Sequence, residues 1–195
     1  MDKGDNRERE LIRKIVQDDR LAMKRYYDDY SGYLTAVAAR YISNREDAKD
    51  VLQESFLKIF KAIHAFDYKG EGSLRAWSAR IVVNEALSHL KANEKMQFTS
   101  LHEEELSSLS DDWEPEIDDI PTPVLLEMIR SLPPGYRTVF NLYVFEEKSH
   151  KEIASMLRIA ESSSASQLHR AKGILMKEIE LYRLKKRHYE RSMAR

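Results

Sequence analysis

The chain has 195 residues, of which 42% are hydrophobic and 33% are charged, so its length allows one domain or two small ones. It contains no cysteine, which excludes disulfides and thiolate metal sites and fits a reducing compartment. No apolar run approaches the ~20 residues that span a bilayer, and the first residues form no apolar signal core. We therefore expect a cytoplasmic protein without membrane insertion.

Charge is unevenly distributed along the chain. Residues 1–97 carry 18 basic and 16 acidic side chains, whereas residues 98–123 carry nine acidic side chains and no basic one. Residues 124–195 carry 14 basic and 8 acidic side chains. A basic C-terminal part that follows a wholly acidic segment indicates a DNA-binding domain on a linker whose charges repel one another.

The prolines divide the chain into two parts. All five lie between residues 115 and 134, and proline breaks helix interiors, so long stretches on either side are free to be helical. Residues 98–121 are acidic, rich in serine and without periodicity, which predicts a flexible linker. The predicted fold is all-α, with an N-terminal domain over 1–97 and a C-terminal domain over 122–195 that ends in a basic tail.

Four helices are predicted in the N-terminal domain, over about 7–17, 21–42, 43–65 and 73–92. Aromatic residues at helical spacing in the second helix indicate core packing, and Ser43 with Glu46 forms the pattern of a capping box at the start of the third. The third helix has an inward apolar stripe and an outward face that places a leucine among polar groups. Such a face is typical of protein binding, and its residues are Asp50, Gln53, Glu54 and Leu57.

A loop with two glycines precedes the fourth helix. The loop and the polar side chains of that helix are suited to holding single-stranded DNA, because an extruded base needs hydrogen-bonding groups and a basic approach. The residues expected to do so are Lys69, Ser73, Arg75, Arg80 and Asn84. Trp77 shares a face with Leu74 and Ile81, and we assign it to the core.

The C-terminal domain carries the pattern of a helix-turn-helix. Its helices are predicted to open at Thr122-Pro123, at Pro133-Pro134 and at Ser149, where Glu152 completes a capping box, and a break at 158–160 precedes a last helix. We expect the last helix to bury Ala165, Leu168 and Ala171. Its remaining polar residues are the predicted DNA contacts: Ser163, Ser164, Ser166, Gln167, His169, Arg170 and Lys172.

The order of these motifs resembles an extracytoplasmic-function (ECF) sigma factor, the minimal two-domain class of bacterial sigma factors. The resemblance covers about residues 10–178, and each motif is weak by itself. The matching motifs are Ala48-x-Asp50-x-x-Gln53-Glu54-x-Phe56-Leu57, the block from Phe66 to Trp77, Arg80-Ile81-x-x-Asn84, Leu132-Pro133-x-x-x-Arg137, and Ser149-x-x-Glu152-Ile153-Ala154 continuing to Leu168-x-Arg170-Ala171.

The resemblance implies a function and partners. In such factors the face at 50–57 docks on the clamp helices of the largest subunit of core RNA polymerase. The loop at 69–73 and the helix bearing Asn84 read and open the −10 promoter element, and the last helix reads the −35 element. It implies promoter-specific transcription initiation in response to an external or envelope signal, with promoter DNA and core polymerase as partners. An anti-sigma factor is a further partner in this class, and no cofactor, metal or catalytic residue is implied.

The sequence departs from the family pattern at two positions. The usual glycine in the corner of the helix-turn-helix is Arg158, so the turn forms without a residue that adopts the left-handed conformation easily. Ala165 stands where a basic residue is common. These departures leave the DNA sequence preference unpredictable.

Two alternatives follow from the residues alone. A stand-alone helix-turn-helix regulator that binds duplex operators explains the C-terminal domain, but it gives no role to the 50–57 face or to the glycine loop. A magnesium-dependent enzyme would use Asp47, Asp50 and Glu54 as metal ligands. No matching acidic pair occurs on another predicted helix of the N-terminal domain, and the histidines show no metal-ligand spacing.

Overall fold

The computed structural model describes residues 3–92 and 116–193. Within these ranges every regular element is a helix, which confirms the all-α prediction, and no helix in them is long and apolar enough to cross a membrane. The chain divides into two compact units, Met1–Glu94 and Lys95–Arg195. Residues 98–115, most of the predicted linker, lie outside the described residues.

Residues 3–92 of the N-terminal unit form four α-helices and one 3-10 turn. They are α1 (Lys3–Val16), α2 (Arg20–Tyr41), α3 (Arg45–Ala62), the turn Ile63–Ala65, and α4 (Ser73–Ala92). Asp19 caps α2 by accepting hydrogen bonds from the backbone amides of Leu21 and Ala22. The predicted cap of α3 is wrong by one residue, because Asn44 and not Ser43 accepts from the first free amides of that helix.

Aromatic side chains of α2 form the centre of the N-terminal core. Tyr26 is fully buried and its ring stacks on Tyr30, with the ring centroids 4.5 Å apart. The hydroxyl of Tyr26 lies 2.5 Å from Ser78 Oγ on α4, and Ser78 donates its own proton to the carbonyl of Leu74. A buried hydroxyl needs such a partner. The aromatic stripe of α2 therefore packs into the core, as predicted.

The described residues of the C-terminal unit, 116–193, form four further helices. They are α5 (Thr122–Ser131), α6 (Pro134–Val144), α7 (His150–Leu157) and α8 (Glu161–Met193). The capping box of Ser149 and Glu152 at the start of α7 is confirmed. α5 begins at Thr122 and has a proline in its first turn, and the cap position is Pro121, which makes no side-chain hydrogen bond.

The folded part of the C-terminal unit begins earlier than the sequence predicts. Ile120 is buried in the core that α5, α6 and α8 share, and Ile117 packs against the same core. Asp119 forms an ion pair with Arg183 on α8, with Nη2 and Oδ1 2.7 Å apart. The hydrogen bond from Arg183 lowers the pKa of the Asp119 carboxyl below its usual range. The last residues of the predicted linker are therefore anchored to this unit.

Candidate functional site

Among the described residues of the N-terminal unit, one face of α3 is exposed to solvent. Its residues follow the spacing i, i+3, i+4 and i+7, which brings them to one side of a helix. All four predicted residues are exposed: Asp50, Gln53, Glu54 and Leu57. The side chain of Leu57 is 53% exposed, whereas the opposite side of α3 is buried through Val51, Phe56 and Ile59. The structure thus brings these four predicted residues together.

An ion pair and a polar contact of a histidine link α3 to α4. Lys58 pairs with Glu85, whose hydrogen bond raises the pKa of the lysine, and Nε2 of His89 lies 3.5 Å from Oδ2 of Asp47. Asp47 therefore faces α4 rather than a metal site. In the described ranges there is no group of three or more histidine, aspartate or glutamate side chains placed to hold a metal ion, so the magnesium hypothesis gains no support.

The glycine loop that precedes α4 depends on two left-handed residues. Gly70 has a φ of 120° and Gly72 a φ of 83°, both in the region that favours glycine. The backbone amide of Ser73 donates to the carbonyl of Gly70, and Ser73 Oγ accepts from the backbone amide of Lys69 at 3.3 Å. Ser73 thus closes the loop, while the side chain of Lys69 is exposed.

Three of the residues predicted to contact single-stranded DNA share one side of α4. Ser73, Arg80 and Asn84 lie on that side, and both Arg80 and Asn84 are exposed. Trp77 lies between them, half-buried, with its ring centroid 4.9 Å from that of Phe66. Arg75 points elsewhere.

The guanidinium of Arg75 lies over the ring of Tyr33 on α2, 3.8 Å from its centroid. This cation–π contact is a structural interaction between two helices of the unit. Arg75 is exposed, but it does not belong to the side of α4 that carries Asn84.

The inward face of α8 differs from the prediction. Ser164 and Gln167 are buried, and Ala165, predicted to be buried, is exposed. Ser164 Oγ lies 3.0 Å from Nδ1 of His150 on α7, so a serine fits between the two helices because a histidine partners it. The prediction that Ser164 and Gln167 are free to contact DNA is therefore wrong.

The outward face of α8 follows from this helical phase. Ser162, Ala165, Ser166 and His169 lie on it at the spacing i, i+3, i+4 and i+7, the first three exposed and His169 half-buried. The other predicted contacts are half-buried on its flanks: Ser163, Arg170 and Lys172. The predicted contacts did not include Ser162 or Ala165, and Ala165 was assigned to the core because an alanine was expected on the inward stripe rather than Ser164 and Gln167.

The turn between α7 and α8 forms around Arg158. This residue has a φ of 57° and a ψ of 47°, the left-handed conformation that the family's usual glycine adopts without cost. The amide of Arg158 bonds to the carbonyl of Ala154, as does the amide of Ile159. The helix-turn-helix geometry is therefore retained despite the departure in sequence.

Both units match family models of one protein class. Residues 26–96 match "Sigma-70 region 2" and residues 124–175 match "Sigma-70, region 4", together more than half of the chain. The chain is 26% identical to the ECF RNA polymerase sigma-E factor of Haemophilus influenzae, over 87% of this chain and 94% of that protein. The chain belongs to the ECF sigma factors.

Other sigma factors are similar over most of their length. The RNA polymerase sigma-H factor of Pseudomonas aeruginosa is 24% identical, over 89% of this chain and 94% of that protein. The sigma factor YlaC of Bacillus subtilis is 27% identical, over 80% and 88%. A solved structure of CnrH in complex with the cytosolic domain of CnrY matches 89% of this chain and 97% of that chain, with 18% identity and a TM-score of 0.44. As a member of the ECF sigma factors, the present chain directs transcription initiation by RNA polymerase.

Proposed function

We propose that the 50–57 face of α3 docks on the clamp helices of the largest subunit of core RNA polymerase. The observation that carries this proposal is the exposure of Asp50, Gln53, Glu54 and Leu57 along one side of a helix whose other side is core. An exposed leucine surrounded by polar groups provides an apolar contact with a polar rim, the usual composition of a protein interface. A duplex-binding regulator would give this face no role.

The two units divide promoter recognition between them in this proposal. The glycine loop and the side of α4 that carries Arg80 and Asn84 bind the −10 element as its strands separate. The outward face of α8, with Ser166 and His169, enters the major groove of the −35 element, while Arg170 and Lys172 on its flanks contact phosphates. Ser164 supports this face indirectly through its hydrogen bond with His150.

The protein in this proposal has no catalytic activity of its own and works in the cytoplasm beside core polymerase. It responds to an external or envelope signal, and an anti-sigma factor restrains it. The basic balance of residues 124–195, 14 basic against 8 acidic side chains, suits both promoter DNA and an acidic surface of such a partner. No cofactor is required by any of these steps.

Substitution of Leu57 tests the docking face. Leu57→Asp places a charge at the apolar centre of the contact, where desolvation is costly, and should weaken binding to core polymerase by at least about tenfold. Gel filtration of the full chain with bacterial core polymerase measures this loss. Leu21→Asp is the matched control, since Leu21 on α2 is 79% exposed and lies outside the face. Equal binding by the two variants, or no co-migration of the unmodified chain, would reject the proposal.

A further inference from the structure

A buried carboxylate of α1 is bonded to the glycine loop. Glu8 is only 8% exposed, which is unusual for a glutamate. Its Oε2 accepts a hydrogen bond from the backbone amide of Gly72 at 3.0 Å, and its Oε1 accepts one from the hydroxyl of Tyr30 at 3.1 Å. Burial of a carboxylate is costly unless both oxygens are satisfied, and here both are.

A neighbouring residue of α1 contacts the other end of the loop. The guanidinium of Arg9 lies over the ring of Tyr68, 4.5 Å from its centroid. Tyr68 and Gly72 flank the segment that includes Lys69 and Gly70. Consecutive residues of α1 therefore hold the glycine loop at both ends.

Glu8 itself is held in place by the core of the N-terminal unit. The ring of Tyr30 stacks on Tyr26, and Tyr26 is bonded to Ser78 on α4. Burial raises the pKa of the Tyr30 hydroxyl above its usual range, so this group keeps the proton that it donates to Glu8. Glu8 thus connects the loop to a rigid aromatic stack.

We infer that Glu8 is a positioning residue for recognition of the −10 element. Glu8 is buried too deeply to touch DNA, so it acts through the amide of Gly72. A segment with two glycines has wide conformational freedom, and one charge-assisted hydrogen bond restricts it to the geometry that presents Lys69 and the start of α4. Without this acceptor the loop populates other conformations and discriminates less between bases. The inference rests on the proposed role of the loop at the −10 element.

Transcription in vitro from two promoter libraries tests the role of Glu8. One library is randomised in the −10 element and the other in the −35 element, and each is transcribed by core polymerase with the full-length chain. Glu8→Ala removes both acceptors, whereas Glu8→Gln keeps the shape, an acceptor for Gly72 and a donor for Tyr30. Glu10→Ala is the matched control, because Glu10 lies on the same helix and pairs with its neighbours Arg13 and Lys14.

Glu8→Ala should reduce discrimination among −10 sequences by about tenfold, with the −35 preference unchanged. Glu8→Gln should restore most of it, and Glu10→Ala should behave as the unmodified chain. A Glu8→Ala protein that transcribes less but keeps its full −10 discrimination would overturn the inference. An unmodified chain with no −10 preference would overturn the proposed function of the loop, and this inference with it.

A milder variant tests the positioning role of Glu8 if Glu8→Ala does not fold. Tyr30→Phe removes one of the two donors to Glu8 and retains the stack on Tyr26. It should lower −10 discrimination by about threefold, since the carboxylate is then held at one oxygen only. Unchanged discrimination in a folded Tyr30→Phe protein would overturn the inference.

Discussion

Asn84 and Arg170 are expected to act at different steps of initiation. Arg170→Ala should weaken binding to closed duplex and reduce the dependence of log affinity on log salt by about one, the effect of one lost phosphate contact. Asn84→Ala should leave duplex binding nearly intact and reduce open complexes, because in the proposed function the exposed amide of Asn84 contacts only a base that has left the stack. Gel-shift titration and permanganate footprinting measure the two quantities.

A third variant separates these effects from a simple change in charge. Lys24 on α2 is exposed and pairs with Asp28, remote in sequence from both faces, so Lys24→Ala should change neither duplex binding nor opening. Equal loss of closed-complex binding in Asn84→Ala and Arg170→Ala would contradict the division of work. The family assignment would stand in that case.

Single residues were the hardest features to predict. Spacing alone placed Asp50, Gln53, Glu54 and Leu57 on one exposed side, because polar residues there alternate with a clear apolar stripe. The same reasoning failed on α8, where the buried stripe includes Ser164 and Gln167. A buried polar side chain depends on a partner from another helix, here His150 for Ser164, and that partner is not visible in local sequence.

Among the helices, the corner of the helix-turn-helix stores strain at Arg158. A left-handed residue with a side chain costs roughly 1–2 kcal/mol, and glycine avoids most of this cost. Arg158→Gly should therefore raise the free energy of unfolding of the C-terminal unit by about 1 kcal/mol. Urea denaturation of the full chain, with hydrogen exchange of the α7 amides as the readout, measures this change in the free energy of unfolding.

Arg158→Ala distinguishes backbone strain from a role of the arginine side chain. Alanine retains a Cβ and so retains the left-handed cost, and this variant should show no comparable gain. If glycine and alanine stabilise the unit equally, the strain is not the cause.

The capping box of α7 makes the stability of this helix depend on acid pH. Hydrogen bonds from the backbone amide and the hydroxyl of Ser149 lower the pKa of Glu152 from 4.5 to about 2, and Lys148 adds to the shift. Because the folded-state pKa is depressed, this stabilisation is complete above pH 4.5 and is lost as the pH falls toward 2. Glu152→Gln should remove that part of the pH dependence.

The protection of the α7 amides from hydrogen exchange is measured between pH 5 and pH 2.5, both in the unmodified chain and in Glu152→Gln. The unmodified chain should lose protection more steeply than Glu152→Gln, because the side-chain amide oxygen of the glutamine can still accept a hydrogen bond from Ser149 at every pH. Glu10, Glu46 and Asp119 also have lowered pKa values and provide a common background in both proteins. Parallel curves would show that the capping carboxylate does not contribute.

Helix boundaries were largely predictable because their signals are local. Proline pairs, the Ser149 capping box and the two glycines before α4 each act within a few residues. The cap of α3 was misplaced by one position because Ser43 and Asn44 are both good caps, and only the backbone conformation selects between them. The folding of residues 117–120 onto α8 was missed, since two isoleucines within an acidic segment give no periodic pattern.

In the proposed function, the whole molecule combines a polymerase-binding face with two DNA-binding faces in one short chain. Its two units have separate cores, one centred on the aromatic stack of α2 and the other on α6 and α8. Composition predicted this division through the prolines and the acidic segment, and the order of motifs predicted the family. Composition could not predict the hydrogen bond that the Gly72 amide donates to Glu8, which joins residues 64 positions apart.

Transcription in vitro with purified core polymerase, with and without this sigma factor, is the decisive measurement across a library of promoters. We expect initiation from a defined subset of promoters that share a −35 and a −10 element, and no specific initiation by core polymerase alone. The Leu57→Asp protein should lose that initiation while its duplex binding persists. The opposite result would be a chain that binds palindromic duplex as a dimer and leaves the promoter choice of polymerase unchanged, the behaviour of an operator-binding regulator.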